Sequence, residues 1–271
     1  MVLCEGSYDA GGKTESVLRL HEIFAPLLLP RNLALLTVEK WGVSPNGFDA
    51  TTFHAHNTRS QRIADHKTVL DALNLSAWDG SLIFIGGSEG GDVMLELLAH
   101  YAPKTRAGIN FAGAGAHGWH RELWAWIQQQ QLLADGSLLT KLMLWWQGVP
   151  KTIIEYEKQT TLICADPTPD KWWLGQTYHC LADAFTRVVD LEKIYTCKVP
   201  LLVIMGTKDA GIASCDAFVA QAQQSGMPIT YWRIDSIGHS VNRDRPTLFG
   251  EVVEWLCQNI SSDTCVSDKI N

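Results

Sequence analysis

The sequence predicts an α/β protein, a mostly parallel, doubly wound sheet with a helical cap inserted late in the chain. Three observations carry this. Runs such as Leu82-Ile83-Phe84-Ile85 and Leu201-Leu202-Val203-Ile204 are apolar on both faces, as strands covered by helices on both sides must be. Segments with apolar residues at helical spacing alternate with them. From residue 117 to 197 strand-like runs become scarce and seven of the eleven tryptophans gather. The expected division is therefore a core of residues 1–116 and 198–271, with 117–197 as the inserted cap.

Composition narrows the function classes. The 271 residues suffice for one large α/β domain or two small ones. A formal charge of −7 without a lysine- or arginine-rich run argues against nucleic acid as a partner. No apolar run approaches the ~18 residues that span a bilayer. Met1 leads almost directly into strand-like sequence, so either the protein is cytoplasmic or an export leader has been removed. The seven cysteines are odd in number and include no C-x-x-C pair. Buried free thiols are expected, with one disulfide in the region of Cys164 to Cys197 left open. Nothing in the sequence marks an oligomeric state.

Taken in order, Val2-Leu3-Cys4 reads as a strand end. The loop Glu5-Gly6-Ser7-Tyr8 follows; its Ser7 N–H is a candidate oxyanion donor, and Tyr8 a candidate pocket residue. An ordinary strand–helix loop is the competing reading. Val17, Leu20, Ile23, Phe24 and Leu27 predict an amphipathic helix ended by Pro26 and Pro30. Residues 33–38 read as a buried strand, and 44–58 as a polar loop with His54 and His56 solvated. Residues 59–73 predict a helix with Ile63, His66 and Leu70 along one stripe. The 82–85 strand then meets Gly86-Gly87-Ser88-Glu89-Gly90, a G-x-S-x-G turn, before a helix with Val93, Met94, Leu97 and Leu98 on one side. Such a turn exposes a serine Oγ beside the free N–H groups of a helix start, as acyl transfer requires. Neither G-x-G-x-x-G nor G-x-x-x-x-G-K-[ST] occurs, so nucleotide readings are weak.

Residues 107–112 predict the next strand. The cap is expected to hold helices over 123–134, 138–147 and 178–194. Trp119, Trp124, Trp145 and Trp146 are candidates for an apolar pocket wall, against the alternative that they pack the cap onto the body. The 199–205 strand ends in Gly206-Thr207-Lys208-Asp209, and the 229–235 strand is followed by Gly238-His239. A polar helix to about residue 225, a last helix over 246–258 and a polar tail complete the chain.

Ser88, Asp209 and His239 thus occur in the order nucleophile, acid, base, each just past the C-terminal end of a predicted parallel strand. Sites in open α/β sheets form along that edge. Serine needs a base, histidine supplies it, and a carboxylate fixes the histidine tautomer. Asp209 also fits a turn or helix cap, and His239 a surface loop. Asp235 is a rival acid only by proximity in sequence.

On these residues the chain resembles the α/β-hydrolase superfamily from residue 2 to about 258. The carriers are Gly86-Gly87-Ser88-Glu89-Gly90-Gly91, the run from Val199 to Asp209, and Gly238-His239. Glu39-Lys40-Trp41-Gly42-Val43 looks like the D-K-R-G-x-G loop of capped serine esterases and aminopeptidase-like members. The resemblance implies Ser88 as nucleophile, Asp209 as acid and His239 as base. It also implies oxyanion N–H groups from Glu89 and from the Gly6-Ser7 loop. Two departures stand out: the usual His-Gly before the oxyanion residue reads Glu5-Gly6, and Met1 begins next to the oxyanion-loop strand where the usual sheet has two strands more, as a missing N-terminal segment or a shortened sheet would explain.

The expected function is hydrolysis of an ester or thioester with an apolar acyl or alcohol part, with no metal or organic cofactor. A short-peptide peptidase is the first alternative, hinted at by Glu155, Glu157 and Asp166. A non-catalytic binding protein on the same fold is the second.

Overall fold

In the computed structural model, residues 1–7, 15–74, 78–113, 115–241, 245 and 247–260 are described. Tyr8 and Cys265 lie outside them. Six strands form one parallel sheet: β1 (Val2–Cys4), β2 (Leu36–Thr37), β5 (Leu82–Gly87), β6 (Thr105–Phe111), β9 (Leu201–Gly206) and β10 (Ile229–Ile234). Two small hairpins, β3 (Val43–Ser44) with β4 (Gly47–Phe48) and β7 (Trp172–Trp173) with β8 (Gln176–Thr177), lie outside it. The sheet order is β10-β9-β6-β5-β1-β2. The chain first runs outward from β1 to β2, then returns to the other side of β1 with β5. The order therefore reverses between β1 and β5, and the loops after those two strands diverge to leave a crevice.

Every residue of β9 is buried, as are the first five of β5. Helix α4 (Glu89–His100) packs on this sheet with Val93, Met94, Leu95, Leu97 and Leu98 fully buried. Each such side chain contributes roughly 1.5–3 kcal/mol by leaving water. Helices α1 (Arg19–Leu28), α3 (Arg59–Ala72), α10 (Ile212–Gln224) and α11 (Leu248–Asn259) complete the layers.

Several expectations are corrected. The 33–38 strand shrinks to Leu36–Thr37, half-buried at the sheet edge, where only one neighbour supplies hydrogen bonds. Helix α1 runs through Pro26, because burial of Phe24 and Leu28 holds its last turn, and only Pro30 falls beyond it. His54 and His56 sit on helix α2 (Ala50–His56), not in a solvated loop. The His54 ring packs edge-on against Trp172 at 4.6 Å, and His56 stacks on Trp41 at 5.0 Å. The cysteines among the described residues are free thiols.

Between β6 and β9 the chain is mostly helical: α5 (Trp119–Leu133), α6 (Leu138–Trp146), α7 (Ile153–Ala165), α8 (Tyr178–Thr186) and α9 (Leu191–Thr196). The expected 178–194 helix divides at Arg187, whose side chain leaves the helical path to pair with Glu96 of α4. Asp190 then caps α9 by accepting from Lys193 N at 3.0 Å. Helix α7 escaped the sequence reading because Ile153 and Ile154 point outward while Thr160 shares the buried stripe of Tyr156 and Ile163. Helices α5, α7 and α8 enclose a hydrophobic cluster of their own around Tyr156, Ile127, Ile163 and Leu181. Tyr156 is fully buried, with Oη donating to His120 O at 2.6 Å.

Candidate active site

Ser88 is the single residue between β5 and α4. Its φ of 53° and ψ of −127° are strained for a residue with a Cβ. The chain turns so tightly that a Cβ on Gly86 would strike the backbone of Gly90 and the side chain of Met94. A Cβ on Gly90 would strike the carbonyl of Cys4. Those two contacts explain the glycines of the G-x-S-x-G run physically. Ser88 N donates to Phe111 O and Gly91 N to Ser88 O, both at 2.9 Å, which holds the strained residue in place.

The three residues past the strand ends come together. Ser88 Oγ lies 2.9 Å from His239 Nε2, and His239 Nδ1 lies 2.7 Å from Asp209 Oδ2. Asp209 is buried, and its other oxygen accepts from Gly211 N at 2.8 Å, which fixes the carboxylate. Lys208 N donates to Ile237 O at 2.9 Å, which ties the acid and histidine loops together. The hydrogen bond that His239 Nδ1 donates to Asp209 is the largest influence on His239 and raises it above its ordinary value of 6.5, although burial opposes this. Asp235 is exposed, and of the two candidate acids it is Asp209 that meets the imidazole.

The proposed oxyanion donors are held by buried charge. A Cβ built on Gly6 would lie 3.2 Å from Ser88 Cβ, so the loop after β1 passes directly beside the nucleophile. Lys40 reaches across to Gly6 O at 2.8 Å and to the Glu5 carboxylate at 2.9 Å. Arg62 donates to Glu5 O and pairs with Glu89 at 2.8 Å. Glu89 opens α4, so its N–H has no partner within the helix. Its side chain is buried; burial opposes the charge, but Arg59, Arg62 and Lys40 outweigh it and keep the carboxyl below its ordinary range. Glu5 standing in place of a histidine thus has a structural partner in Lys40.

A cavity of about 440 Å³ opens over Ser88 and His239. Ser7, Glu89, Trp119, Glu122, Trp126 and Leu181 are among its walls. A second cavity of about 310 Å³ reaches Ser88 and His239 from the side of α1 and α11, bounded by Leu20, Phe24, Phe111 and Phe249. Of the four expected tryptophans, only Trp119 lines the first cavity. Trp124 packs into the helical cluster, 5.2 Å from the Tyr156 ring. Trp145 and Trp146 are 66% and 82% exposed, because α6 buries no residue at all. Trp126 and Glu122 are wall residues that sequence reading missed. They share one stripe with Trp119 at i, i+3, i+7, but the helix was expected to begin only at residue 123. Glu155, Glu157 and Asp166 lie on or just after α7 and do not line the cavity.

No family model and no curated protein matches the sequence. Solved structures do match. A putative non-heme bromoperoxidase, BpoC, from Mycobacterium tuberculosis H37Rv is 17% identical, with a TM-score of 0.54 over 96% of this chain and 92% of that one. The proline iminopeptidase of Mycobacterium smegmatis is 14% identical, with a TM-score of 0.55 over 95% and 89%. Carboxylesterase CesB (YbfK) of Bacillus subtilis is 14% identical, with a TM-score of 0.50 over 96% and 84%. The chain has the α/β-hydrolase fold. These neighbours are hydrolases and a peroxidase of that fold, and the resemblance at the level of fold is to hydrolytic enzymes. Among the described residues no helix is long and apolar enough to cross a membrane.

Proposed function

We propose that the protein is a serine hydrolase that cleaves a carboxylic ester or thioester with an apolar acyl or alcohol part. The observation that carries this is the unbroken relay from Ser88 through His239 to Asp209 at the mouth of a largely apolar cavity. Ser88 Oγ attacks the carbonyl carbon while its proton passes to His239 Nε2. The N–H groups of Ser7 and Glu89 bind the tetrahedral oxyanion. Its collapse breaks the bond to the leaving alcohol or thiol, which takes the proton from His239. Water then attacks the acyl-serine, gives its proton to His239, and Ser88 leaves with that proton as the acid is released. Residues 117–197 act as a cap in this reading, with α5 as the cavity roof. The two cavities that meet at Ser88 suit the two halves of an ester. The substrate is a small molecule.

Turnover of p-nitrophenyl esters of increasing chain length tests the proposal. Activity with a chain-length optimum, together with fluorophosphonate labelling of Ser88, is expected. Absence of both would move the chain to the class of binding proteins on this fold.

The pH profile follows from His239. Catalysis needs the neutral imidazole, and Asp209 holds the ring protonated to higher pH. Activity is therefore lost as pH falls through a value above the ordinary 6.5. Below that midpoint kcat/KM is expected to fall about tenfold per pH unit. Asp209→Asn is expected to move the midpoint down and to lower kcat by roughly 10⁴-fold. A profile flat from about pH 5 to 8 would rule out His239 as the base.

A further inference from the structure

The buried charges around the nucleophile pair off one with one. Lys40 meets Glu5 at 2.9 Å, Arg59 meets Asp92 at 3.0 Å and Arg62 meets Glu89 at 2.8 Å. A fourth carboxyl, Glu122, lines the same cavity as Ser88 and His239, and no cation pairs with it among the described residues. Its Oε1 accepts from a hydroxyl, Ser214 Oγ, at 2.6 Å. That hydroxyl in turn accepts from the His117 backbone N–H at 2.9 Å. The chain of hydrogen bonds orients the carboxyl in the cavity wall without a salt bridge among the described residues; Arg59, already paired with Asp92, acts on it only through space.

We propose that Glu122 anchors a cationic group, a protonated amine, on one half of the substrate, so that the enzyme prefers amine-bearing esters over neutral ones. This rests on the serine-hydrolase reading of the site. An uncompensated carboxylate in a cavity wall is costly, and a ligand cation within hydrogen-bond reach offsets that cost. Trp126 brings an aromatic ring to the same wall, and ring faces attract cations; one face of Trp119 is already taken by the Arg59 guanidinium at 4.4 Å. The charged groups that act on Glu122 are Asp92 of α4, Arg59 of α3 and Asp209 after β9, and Glu89, Lys208 and His239 line the same cavity. Burial first, and Asp92 next, push the Glu122 carboxyl up to about 7. The anchor is thus charged above neutrality and loses its charge below it.

The test compares two p-nitrophenyl esters of equal length. The 6-aminohexanoate carries an ammonium where the heptanoate carries a methyl group. The quantity read is the ratio of their kcat/KM values, each divided by its uncatalysed rate. At about pH 8 the wild-type ratio is expected to favour the amine about tenfold or more, the strength of a hydrogen bond to a charged group. Glu122→Gln is expected to remove that preference. In the wild-type protein the ratio should shrink towards one as pH falls through the Glu122 value, while the effect of His239 cancels between the two esters. A wild-type ratio of one or less, a ratio unmoved by pH, or an equal ratio in Glu122→Gln would overturn the proposal. Should neither ester be hydrolysed, the hydrolase reading fails separately, and calorimetry with hexylammonium and 1-hexanol judges the anchor. Tighter binding of hexylammonium that Glu122→Gln abolishes upholds it; equal binding of the two overturns it.

Discussion

Ser88→Ala is expected to lower kcat/KM towards an activated ester by about 10⁴-fold or more, with little change in melting temperature. The loss is large because the hydroxyl is one member of a unit. With Oγ gone, His239 has no proton to take at 2.9 Å, and the charge that Asp209 holds on the imidazole serves nothing. The residual rate would come from the oxyanion donors and the cavity alone. Stability should hold, because the position is kept by backbone bonds to Phe111 O and from Gly91 N, which alanine retains. Alanine also carries the same Cβ at φ 53°, so the strain at the turn is unchanged. A stopped-time assay beside a thermal melt separates the two quantities. Activity within tenfold of wild type would remove Ser88 from the chemistry.

Arg62→Met is expected to destabilise the protein by about 3–5 kcal/mol, the cost of leaving one partner of a buried ion pair uncompensated. For a domain of this size that is a fall in melting temperature on the order of 10 °C. Both side chains of the pair are buried, 5% exposed for Arg62 and 3% for Glu89. The guanidinium also donates to Glu5 O, so its loss frees the loop after β1 as well. Arg62 touches no reacting atom in this scheme; it positions the two backbone donors. A fall in kcat that exceeds any rise in KM is the mark of that role, since the oxyanion forms only after binding. Glu89→Gln added to Arg62→Met should recover part of the stability, because the stranded charge is gone. A melt unchanged in the single variant would show that Lys40 and Arg59 suffice to hold Glu89.

The strands of the sheet centre were legible because burial on both faces writes itself as an uninterrupted apolar run. Ser88, Asp209 and His239 were legible because each follows such a run directly. The parts that escaped share a different character. Arg59, Arg62 and Lys40 look like surface charge in the sequence, and only the fold brings Glu5, Glu89 and Asp92 to them. Trp145 and Trp146 share composition with Trp173, yet Trp173 is buried and they are not. Composition records what a tryptophan can bury, and packing decides whether it does. Glu122 was lost to a helix start placed four residues late, a small error at the one turn that roofs the cavity.

The helices over the cavity keep their own hydrophobic cluster, separate from the one beneath the sheet. Their links to the body include polar ones: Ser60 with Asp183, Arg187 with Glu96, and Gln129 with Lys208 O. Two separate hydrophobic clusters are expected to open as separate units, the smaller at a lower free energy than the larger. Mild heat or denaturant would therefore strip the roof first and leave the Ser88, His239 and Asp209 relay assembled but open to bulk water. Substrate selection would be lost before bond cleavage.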